Sequence, residues 1–263
     1  HRANLKMVLL ALFGATMGQG VVWYTGQFYA QSFLETVCRG DFDQSRTILI
    51  WGILFATPFF IVFGGWSDKI GRKWIMLVGM LLAISTYQFI FRQFMSVTDQ
   101  AGRTEIIEQR KVLEDKTADN VQVITSEVHY SDGAVFKEVV TSNKNSGLTS
   151  IIYKDKKLDT ASYWKLVGWI FVLILYVTMV YGPIAAFLVE LFPTRIRYTS
   201  MSLPYHIGNG VFGGLTPFIA TLLTTIYIDD KLSGLWYTII IGLVCFIIGS
   251  IYINNRIDPD VND

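Results

Sequence analysis

The sequence has 263 residues and a formal net charge of +1; 52% of the residues are hydrophobic and only 16% are charged. Soluble domains carry about 25% charged residues and nucleic-acid-binding domains carry a basic stripe, so the composition excludes an ordinary soluble domain and predicts no nucleic-acid partner. The two cysteines, Cys38 and Cys245, are far apart and lack metal-ligand spacing. We therefore expect no disulfide, no metal site and no cofactor.

Six apolar segments are each long enough to cross a bilayer as a helix, which takes roughly 20 residues. They are Leu5–Leu34, Thr47–Gly65, Arg72–Met95, Trp164–Leu191, Thr199–Ile228 and Gly234–Asn254. The first segment is too long for the apolar core of a signal peptide. The sequence opens at His1 without an initiator methionine, so we expect it to be a fragment.

Lysines and arginines in short loops indicate which side of the membrane a loop occupies, because cytoplasmic loops carry more of them. These bases gather at the start of the sequence and in the turns after the second and fourth segments, at Arg2, Lys6, Lys69, Arg72, Lys73, Arg195 and Arg197. Six crossings put both termini on one side, and the bases predict that this side is cytoplasmic. We expect a multi-pass protein of the cell membrane, meaning the inner or plasma membrane.

One long segment, residues 96–162, has the composition of an ordinary soluble protein and separates the third and fourth predicted crossings. Since the termini are predicted to be cytoplasmic, this insertion is predicted to be extracytoplasmic. The chain then divides into residues 1–95 with the first three crossings, the insertion, and residues 163–263 with the last three crossings and a cytoplasmic tail. The insertion is too small for a deep core. It is either a cap without chemistry or a surface that contacts substrate or a partner.

The insertion is predicted to be a small α+β unit. Asp99–Lys116 has apolar residues on a helical spacing among many charges, which predicts a helix. Val121–Thr125 and Ala134–Val140 have the composition of strands and flank Ser131-Asp132-Gly133, a hairpin turn signal. Leu148–Lys154 would add a third strand.

The turns after the second and fourth segments carry complementary charges on the same predicted face. Asp68 and Arg72 lie in the first turn, and Glu190, Arg195 and Arg197 lie in the second. An acid–base cluster of this kind could hold neighbouring helices together in one conformation and release them in another. The alternative is that these charges only fix the orientation of the chain.

Both turns resemble signatures of a known family. The G-x-x-x-D-[RK]-x-G-R-[RK] motif of the major facilitator superfamily is matched at Gly64, Asp68, Lys69, Gly71, Arg72 and Lys73. Glu190 and Arg197 resemble the E-x6-R pattern that follows the tenth span of sugar-porter-like members. The order of these motifs, with the residues at Gly18–Tyr29 and Tyr205–Asn209, resembles spans seven to twelve of the metabolite:proton symporter-like group. The insertion departs from the resemblance, because most relatives have a short loop there.

The resemblance implies an all-α membrane protein built as a six-transmembrane-helix half of a major facilitator fold, with the small α+β extracytoplasmic insertion added. Such transporters work by alternating access, in which two six-helix halves rock around a midplane site. The expected partners are the missing N-terminal half, the lipid bilayer, a small-molecule substrate and protons. A cytoplasmic gate that stabilises the outward-facing state is implied at Gly64, Asp68, Gly71, Arg72, Glu190, Arg195 and Arg197.

Polar side chains inside the predicted crossings are candidates for substrate contact. Gln19, Trp23 and Gln27 recur every four residues and share one helical stripe. Amides in hydrocarbon need partners, so the stripe faces either a cavity or another helix. The resemblance implies that this crossing lines the central cavity. The expected substrate-binding residues are Gln19, Trp23, Tyr24, Gln27, Tyr181 and Asn209.

His206 is the only histidine within a predicted crossing. With an unperturbed pKa of about 6.5, a histidine titrates near physiological pH and can carry a proton, so His206 is the candidate for proton coupling. The alternative is a neutral, hydrogen-bonded interior histidine or one near the cytoplasmic vestibule. If coupling uses a carboxylate instead, that carboxylate belongs to the other half, because no acid lies at the centre of a predicted crossing.

The leading hypothesis is a secondary active transporter, in which this chain is the C-terminal half and protons drive the symport of a small metabolite. The substrate would be an organic acid or a betaine- or proline-like solute. One alternative is a non-transporting membrane module that binds a partner through the outer insertion, and another is a half-transporter that pairs with a separate N-terminal half. The predicted crossings lack paired acids, metal ligands and an activated nucleophile, so we do not expect an enzyme.

Overall fold

The computed structural model describes residues 2–118, 121–144 and 147–253, and within them six helices are long and apolar enough to cross a membrane. In chain order they are α1 to α6: Asn4–Thr36, Phe42–Ile70, Arg72–Val97, Thr160–Leu191, Arg197–Ile226 and Leu235–Tyr252. They confirm the six predicted crossings. Asn254, where the last crossing was predicted to end, and the predicted cytoplasmic tail lie outside the described residues.

The helices pack side by side with α1 and α4 at the centre. α4 contacts α1, α2 and α3, while α1 contacts α5 and α6. α2 and α5 each bury only 22% of their most apolar stretch, against 61% for α1 and α4. The exposed apolar faces of α2 and α5 suit a surrounding of lipid or of further helices.

The two ends of the bundle differ. At one end, the turn end, α2 connects to α3 and α4 connects to α5 through short turns. At the other end, the sheet end, four strands lie between α3 and α4. Near the sheet end, aromatic rings of α1 and α3 form the core, with Tyr29 and Phe33 lying 5.5 and 4.9 Å from the ring centre of Phe91.

α1 and α5 approach each other closely through wide helical turns. α1 contains π-helical segments at Leu12–Thr16 and Thr25–Tyr29, and α5 contains one at Gly208–Gly213. A Cβ atom on Gly20 would lie 2.4 Å from the Gly208 carbonyl oxygen, so only glycine permits this contact. Single π-helical turns occur frequently at functional sites, and these lie beside the polar residues discussed below.

The turn between α2 and α3 is tighter than the sequence predicts. The predicted segments leave residues 66–71 between them, but α2 continues to Ile70 and α3 begins at Arg72, leaving only Gly71 in the turn. Gly71 has φ 105°, a conformation that side chains with a Cβ rarely adopt. The second turn is looser, because residues 192–196 separate α4 from α5.

The four strands form one antiparallel sheet in the order β1-β2-β3-β4. They are Lys111–Ala118, Val121–His129, Val135–Asn143 and Thr149–Lys157. The three predicted strands correspond to β2, β3 and β4, and the predicted hairpin turn joins β2 to β3, with Gly133 at φ 91°.

The predicted helix Asp99–Lys116 is wrong, and the insertion is a β-sheet rather than an α+β unit. The described chain here contains only a 3₁₀ turn at Ile107–Gln109 before β1 begins. Two of the apolar residues that suggested a helix have no core to cover: Ile107 is 80% exposed and Leu113 is 48% exposed. Pairing with β2 satisfies the backbone groups of β1 instead.

The sheet is fastened to the sheet end of the bundle by backbone and side-chain bonds. The Lys156 N–H donates to the Arg39 carbonyl (3.0 Å), and the Asp41 N–H donates to the Lys156 carbonyl (3.0 Å). The Gln44 side chain of α2 bonds the Leu158 N–H and carbonyl at 2.7 and 3.0 Å. The strands therefore form one body with the helix ends.

Arg103 is a second fastening between the sheet and the helices. Its guanidinium pairs with Asp132 in the β2–β3 turn and with Asp159 at the start of α4 (3.1 Å). It also donates to the Val97 carbonyl at the end of α3 (3.2 Å). Its side chain is 9% exposed, so the charge is held by partners rather than by water.

Candidate functional site

Two amide side chains from α1 and α5 form a reciprocal pair away from the helix ends. Gln19 Nε2 donates to Asn209 Oδ1 at 3.0 Å, and Asn209 Nδ2 donates to Gln19 Oε1 at 3.1 Å. Asn209 Nδ2 also donates to the Tyr205 carbonyl at 3.0 Å. Gln19 is fully buried, so the pair holds α1 against α5 and satisfies amides that hydrocarbon would leave unpaired.

Aromatic side chains lie beside this pair. The Trp23 ring centre is 5.0 Å from that of Tyr24 and 5.6 Å from that of Tyr181 on α4. Tyr24 stacks on Phe28 at 5.2 Å. The Tyr181 hydroxyl lies 2.7 Å from the Tyr205 hydroxyl of α5. Hydrogen bonds and ring contacts thus link three helices in one cluster, which we call the aromatic–amide cluster: Gln19, Trp23, Tyr24, Phe28, Tyr181, Tyr205 and Asn209.

The sequence predicted five members of this cluster and missed two. Tyr205 could have been found, because it lies four residues before Asn209 on one helix face. Phe28 carries no polar signal and could not. Gln27 is half-buried inside the π-helical segment Thr25–Tyr29, where the wider turn shifts the predicted stripe away from a constant four-residue spacing.

His206 lies at the edge of the cluster. Its ring centre is 5.8 Å from that of Tyr205, and its side chain is exposed on α5. The structure therefore does not bury this histidine within the six helices, and its role in proton coupling stays a prediction.

At the turn end, one arginine joins three helices. Arg72 at the start of α3 lies 2.8 Å from Asp68 of α2 and 2.7 Å from Glu190 of α4. The Arg72 side chain is 20% exposed, Glu190 is 30% exposed and Asp68 is 60% exposed. Two guanidinium nitrogens, Nε and Nη2, donate to the same Glu190 oxygen, an arrangement that lysine cannot reproduce. These residues form the turn-end charge cluster: Asp68, Arg72 and Glu190.

The other predicted gate residues lie near the end of α2, in the turns after α2 and α4, or at the start of α5. Arg197 Nε donates to the Phe192 carbonyl at 3.1 Å, which braces the turn between α4 and α5. Arg195 is exposed in that turn. Gly71 provides the sharp bend, whereas a Cβ atom on Gly64 would meet no described atom within 4 Å.

Lys73 has a structural role that the sequence did not predict. Its Nζ donates to the Ser250 carbonyl at 2.9 Å and to the Ile253 carbonyl at 2.6 Å. These carbonyls belong to the last turn of α6, where backbone acceptors lack helical partners. Lys73 therefore ties α3 to α6, and its place as the last base of the motif was the only signal for it.

The described residues offer no cluster suited to a metal, since none of them form a group of three or more His, Cys, Asp or Glu side chains that could hold an ion. Cys38 and Cys245 are both buried and free. Burial raises the pKa of the Cys38 thiol to about 11, which keeps it protonated and unreactive near neutral pH.

Comparison with known proteins identifies relatives of the chain, although no family model and no solved structure matches it. It is 34% identical over 93 residues to a Haemophilus influenzae protein provisionally named a metabolite transport protein, covering 35% of this chain and 20% of the relative. It is 32% identical over 88 residues to the citrate-proton symporter of Klebsiella pneumoniae, covering 32% and 19%. A Staphylococcus aureus protein provisionally named a proline/betaine transporter is 30% identical over 241 residues, covering 91% and 38%.

These relatives define the class of the chain: a membrane protein with six apolar helices that is related to transport proteins and not to enzymes. They confirm the resemblance to the metabolite:proton symporter-like group of the major facilitator superfamily. The matched segments span less than two fifths of the length of each of these relatives.

Proposed function

We propose that the chain is the C-terminal six-helix half of a secondary active transporter that couples the symport of a small metabolite to proton movement by alternating access. The observation that carries the proposal is the aromatic–amide cluster, which joins α1, α4 and α5 away from their ends. Polar groups at membrane depth are expensive and often mark a substrate path. The names of the relatives support the same reading.

The cluster has the composition of a small-molecule site, since such sites are mostly apolar with a few placed polar groups. Trp23 and Tyr24 are half-buried and Phe28 is 48% exposed, so their rings remain partly open on one side. The faces of the aromatic rings attract the quaternary ammonium of a betaine-like solute. The N–H of Trp23 and the O–H groups of the tyrosines can donate hydrogen bonds to a carboxylate. In the proposal, the N-terminal half supplies the facing wall.

The proposal places the turn end in the cytoplasm and the sheet end outside, following the lysines and arginines of the short turns. Residues 96–162 are then an extracytoplasmic insertion between the membrane regions 1–95 and 163–263. The turn-end charge cluster becomes the cytoplasmic gate: Arg72 holds α2 and α4 together in the outward-facing state, and these pairs separate when the cytoplasmic side opens.

Proton coupling is assigned to His206 in this proposal. It is the only histidine in α1 to α6, and its exposed ring beside Tyr205 is open to protons and to the substrate path. Glu190 of the gate lies in the last turn of α4, and residues 192–196 connect α4 to α5, which carries His206. A change in His206 charge can therefore act on the gate through α5.

The test is uptake by the intact transporter reconstituted in liposomes. Labelled citrate, proline and betaine are offered with and without an inward proton gradient. We expect one of them to accumulate, and to accumulate faster with the gradient. If none enters under either condition, the transport proposal fails and the partner-binding module becomes the better hypothesis.

A further inference from the structure

A cavity lies at the sheet end, apart from the aromatic–amide cluster. It has a volume of about 440 Å³ and lies between β4, the sheet ends of α1 and α5, and the connections that follow those helices. Tyr29, the lining residue of α1 that is nearest to Gln19 in the sequence, is ten residues beyond it, or about 15 Å along a helix. The cavity is therefore a separate site, within the 300–1,000 Å³ typical of small-molecule pockets.

Three cations from three separate segments line this cavity. Arg39 follows α1, Lys156 lies on β4, and Lys231 lies between α5 and α6. None of the described residues that line the cavity is acidic. Asp230, on the α5–α6 connection, is not among the lining residues and accepts the Leu232 N–H at 3.0 Å. Like charges gathered in one partly buried place repel one another, and an anion would relieve that repulsion.

The electrostatic surroundings of Lys156 also favour a bound anion. Its Nζ donates to the Thr98 carbonyl at 2.8 Å and lies 5.6 Å from the Phe136 ring centre. Burial lowers the pKa of Lys156, and the charges of Arg39 and Lys231 lower it further, against the opposing effect of Cys38 and Asp99. A bound anion would stabilise the ammonium.

The cations are the principal hydrogen-bond donors of the cavity. Thr224 and Thr225 donate to carbonyls of their own helix at 2.8 and 2.9 Å, and Thr36 does the same at 2.7 Å. The Tyr29 hydroxyl faces Thr224 at 3.3 Å. These four hydroxyls thus direct their hydrogens to the protein, while guanidinium and ammonium groups supply several N–H donors each.

We propose that this cavity binds a small anion that carries carboxylate or phosphate groups, held by Arg39, Lys156 and Lys231. The site depends on the insertion, because β4 supplies Lys156 and one wall of the cavity. It goes beyond the transport proposal and would stand if transport were disproved. In this proposal the sheet contributes to a binding site as well as covering the helix ends.

Isothermal titration of the intact protein with citrate and with inorganic phosphate tests the site, at low salt and again at high salt. We expect millimolar or tighter binding that weakens with salt and falls about fivefold to tenfold in Lys231→Gln and in Arg39→Asn. Asparagine suits position 39, where φ is 55°. Comparing the affinities for citrate and phosphate distinguishes a carboxylate ligand from a phosphate ligand.

The matched control is Lys154→Gln, which removes an exposed charge from the same strand outside the cavity and should leave the affinity unchanged. Trp23→Ala separates this site from the aromatic–amide cluster: the part of the binding that depends on Lys231 should persist in it, even where citrate also binds at the cluster. The proposal is overturned if neither anion binds, if Lys154→Gln weakens binding as much as Lys231→Gln, or if Trp23→Ala abolishes the Lys231-dependent binding.

Discussion

Arg72 and Glu190, which are 118 residues apart in the chain, are joined by two nitrogen–oxygen contacts of 2.7 Å. The contact fastens the first turn of α3 to the last turn of α4, and Asp68 at the end of α2 completes it at 2.8 Å. One guanidinium therefore connects three helices at the turn end.

Of the acids in the turn-end charge cluster, Glu190 should have the largest effect on uptake. We predict that Glu190→Gln slows uptake about fivefold, because a partly exposed ion pair is worth about 1 kcal/mol and its loss shifts the transporter away from the outward-facing state that takes up external substrate. Asp68→Asn should change uptake less, since Asp68 is 60% exposed. Initial uptake rates of the reconstituted protein measure both effects.

Lys69→Gln is the matched control for these variants, because it removes an exposed charge from the same helix end without touching Arg72. All of the variants should be made in comparable amounts. Equal uptake rates for Glu190→Gln and Lys69→Gln would mean that the charges of the cluster only set the orientation of the chain in the membrane.

The buried amide pair should be coupled energetically. We predict that Gln19→Leu and Asn209→Leu each destabilise the protein by about 1–3 kcal/mol, because each leaves a polar partner unsatisfied. The double variant should cost less than the sum by about 0.6–1.7 kcal/mol, the range of hydrogen bonds between membrane helices. A double-mutant cycle of unfolding in detergent micelles measures the difference. Strictly additive losses would mean that the two amides do not depend on each other.

His206 should affect coupling more than translocation. We predict that His206→Gln still exchanges labelled for unlabelled substrate across the membrane but no longer accumulates substrate in response to a proton gradient, because glutamine cannot carry the proton. His129→Gln, in β2 of the sheet, is the control. Undiminished accumulation in His206→Gln would move the coupling site to the N-terminal half.

The attachment of the sheet should weaken in acid. Burial opposes ionisation of Asp159, but hydrogen bonds from Ser162 and Arg103 outweigh it and hold the pKa of the carboxyl below its usual value. The stabilisation is therefore fully present above the unfolded value of about 3.9 and is lost as pH falls through the lowered folded pKa. Thermal unfolding measured across this range should show the loss, and Asp159→Asn should remove that pH dependence. An unchanged acid limb in this variant would exclude Asp159 as its source.

The helices and three of the strands could be predicted because their signals are local. Long apolar runs define α1 to α6, and the turn at Ser131-Asp132-Gly133 marks the β2–β3 hairpin. The segment Asp99–Lys116 failed because a few apolar residues at helical spacing do not fix a helix without a core to bury them. The end of this segment forms β1 because it pairs with β2. That pairing cannot be predicted from the sequence of the segment alone.

For the candidate sites, too, the sequence predicts local features, whereas contacts between distant helices depend on the fold. The two motifs pointed to Asp68, Arg72 and Glu190 as members of one charge cluster, but the specific contact between Arg72 and Glu190 emerges only from packing. In the same way, the polar stripe of α1 was predicted from its spacing, whereas Asn209 as the partner of Gln19, 190 residues away, was not. Spacing along one helix predicts which face is polar, and the fold determines what that face meets.

The most direct test of the central claim, that a proton accompanies each transported metabolite, is the internal pH of liposomes that contain the intact transporter. A trapped pH-sensitive dye reports this pH when substrate is added outside without any imposed gradient. The account predicts that substrate entry acidifies the lumen and that a protonophore abolishes the change. Substrate uptake at constant internal pH would contradict it.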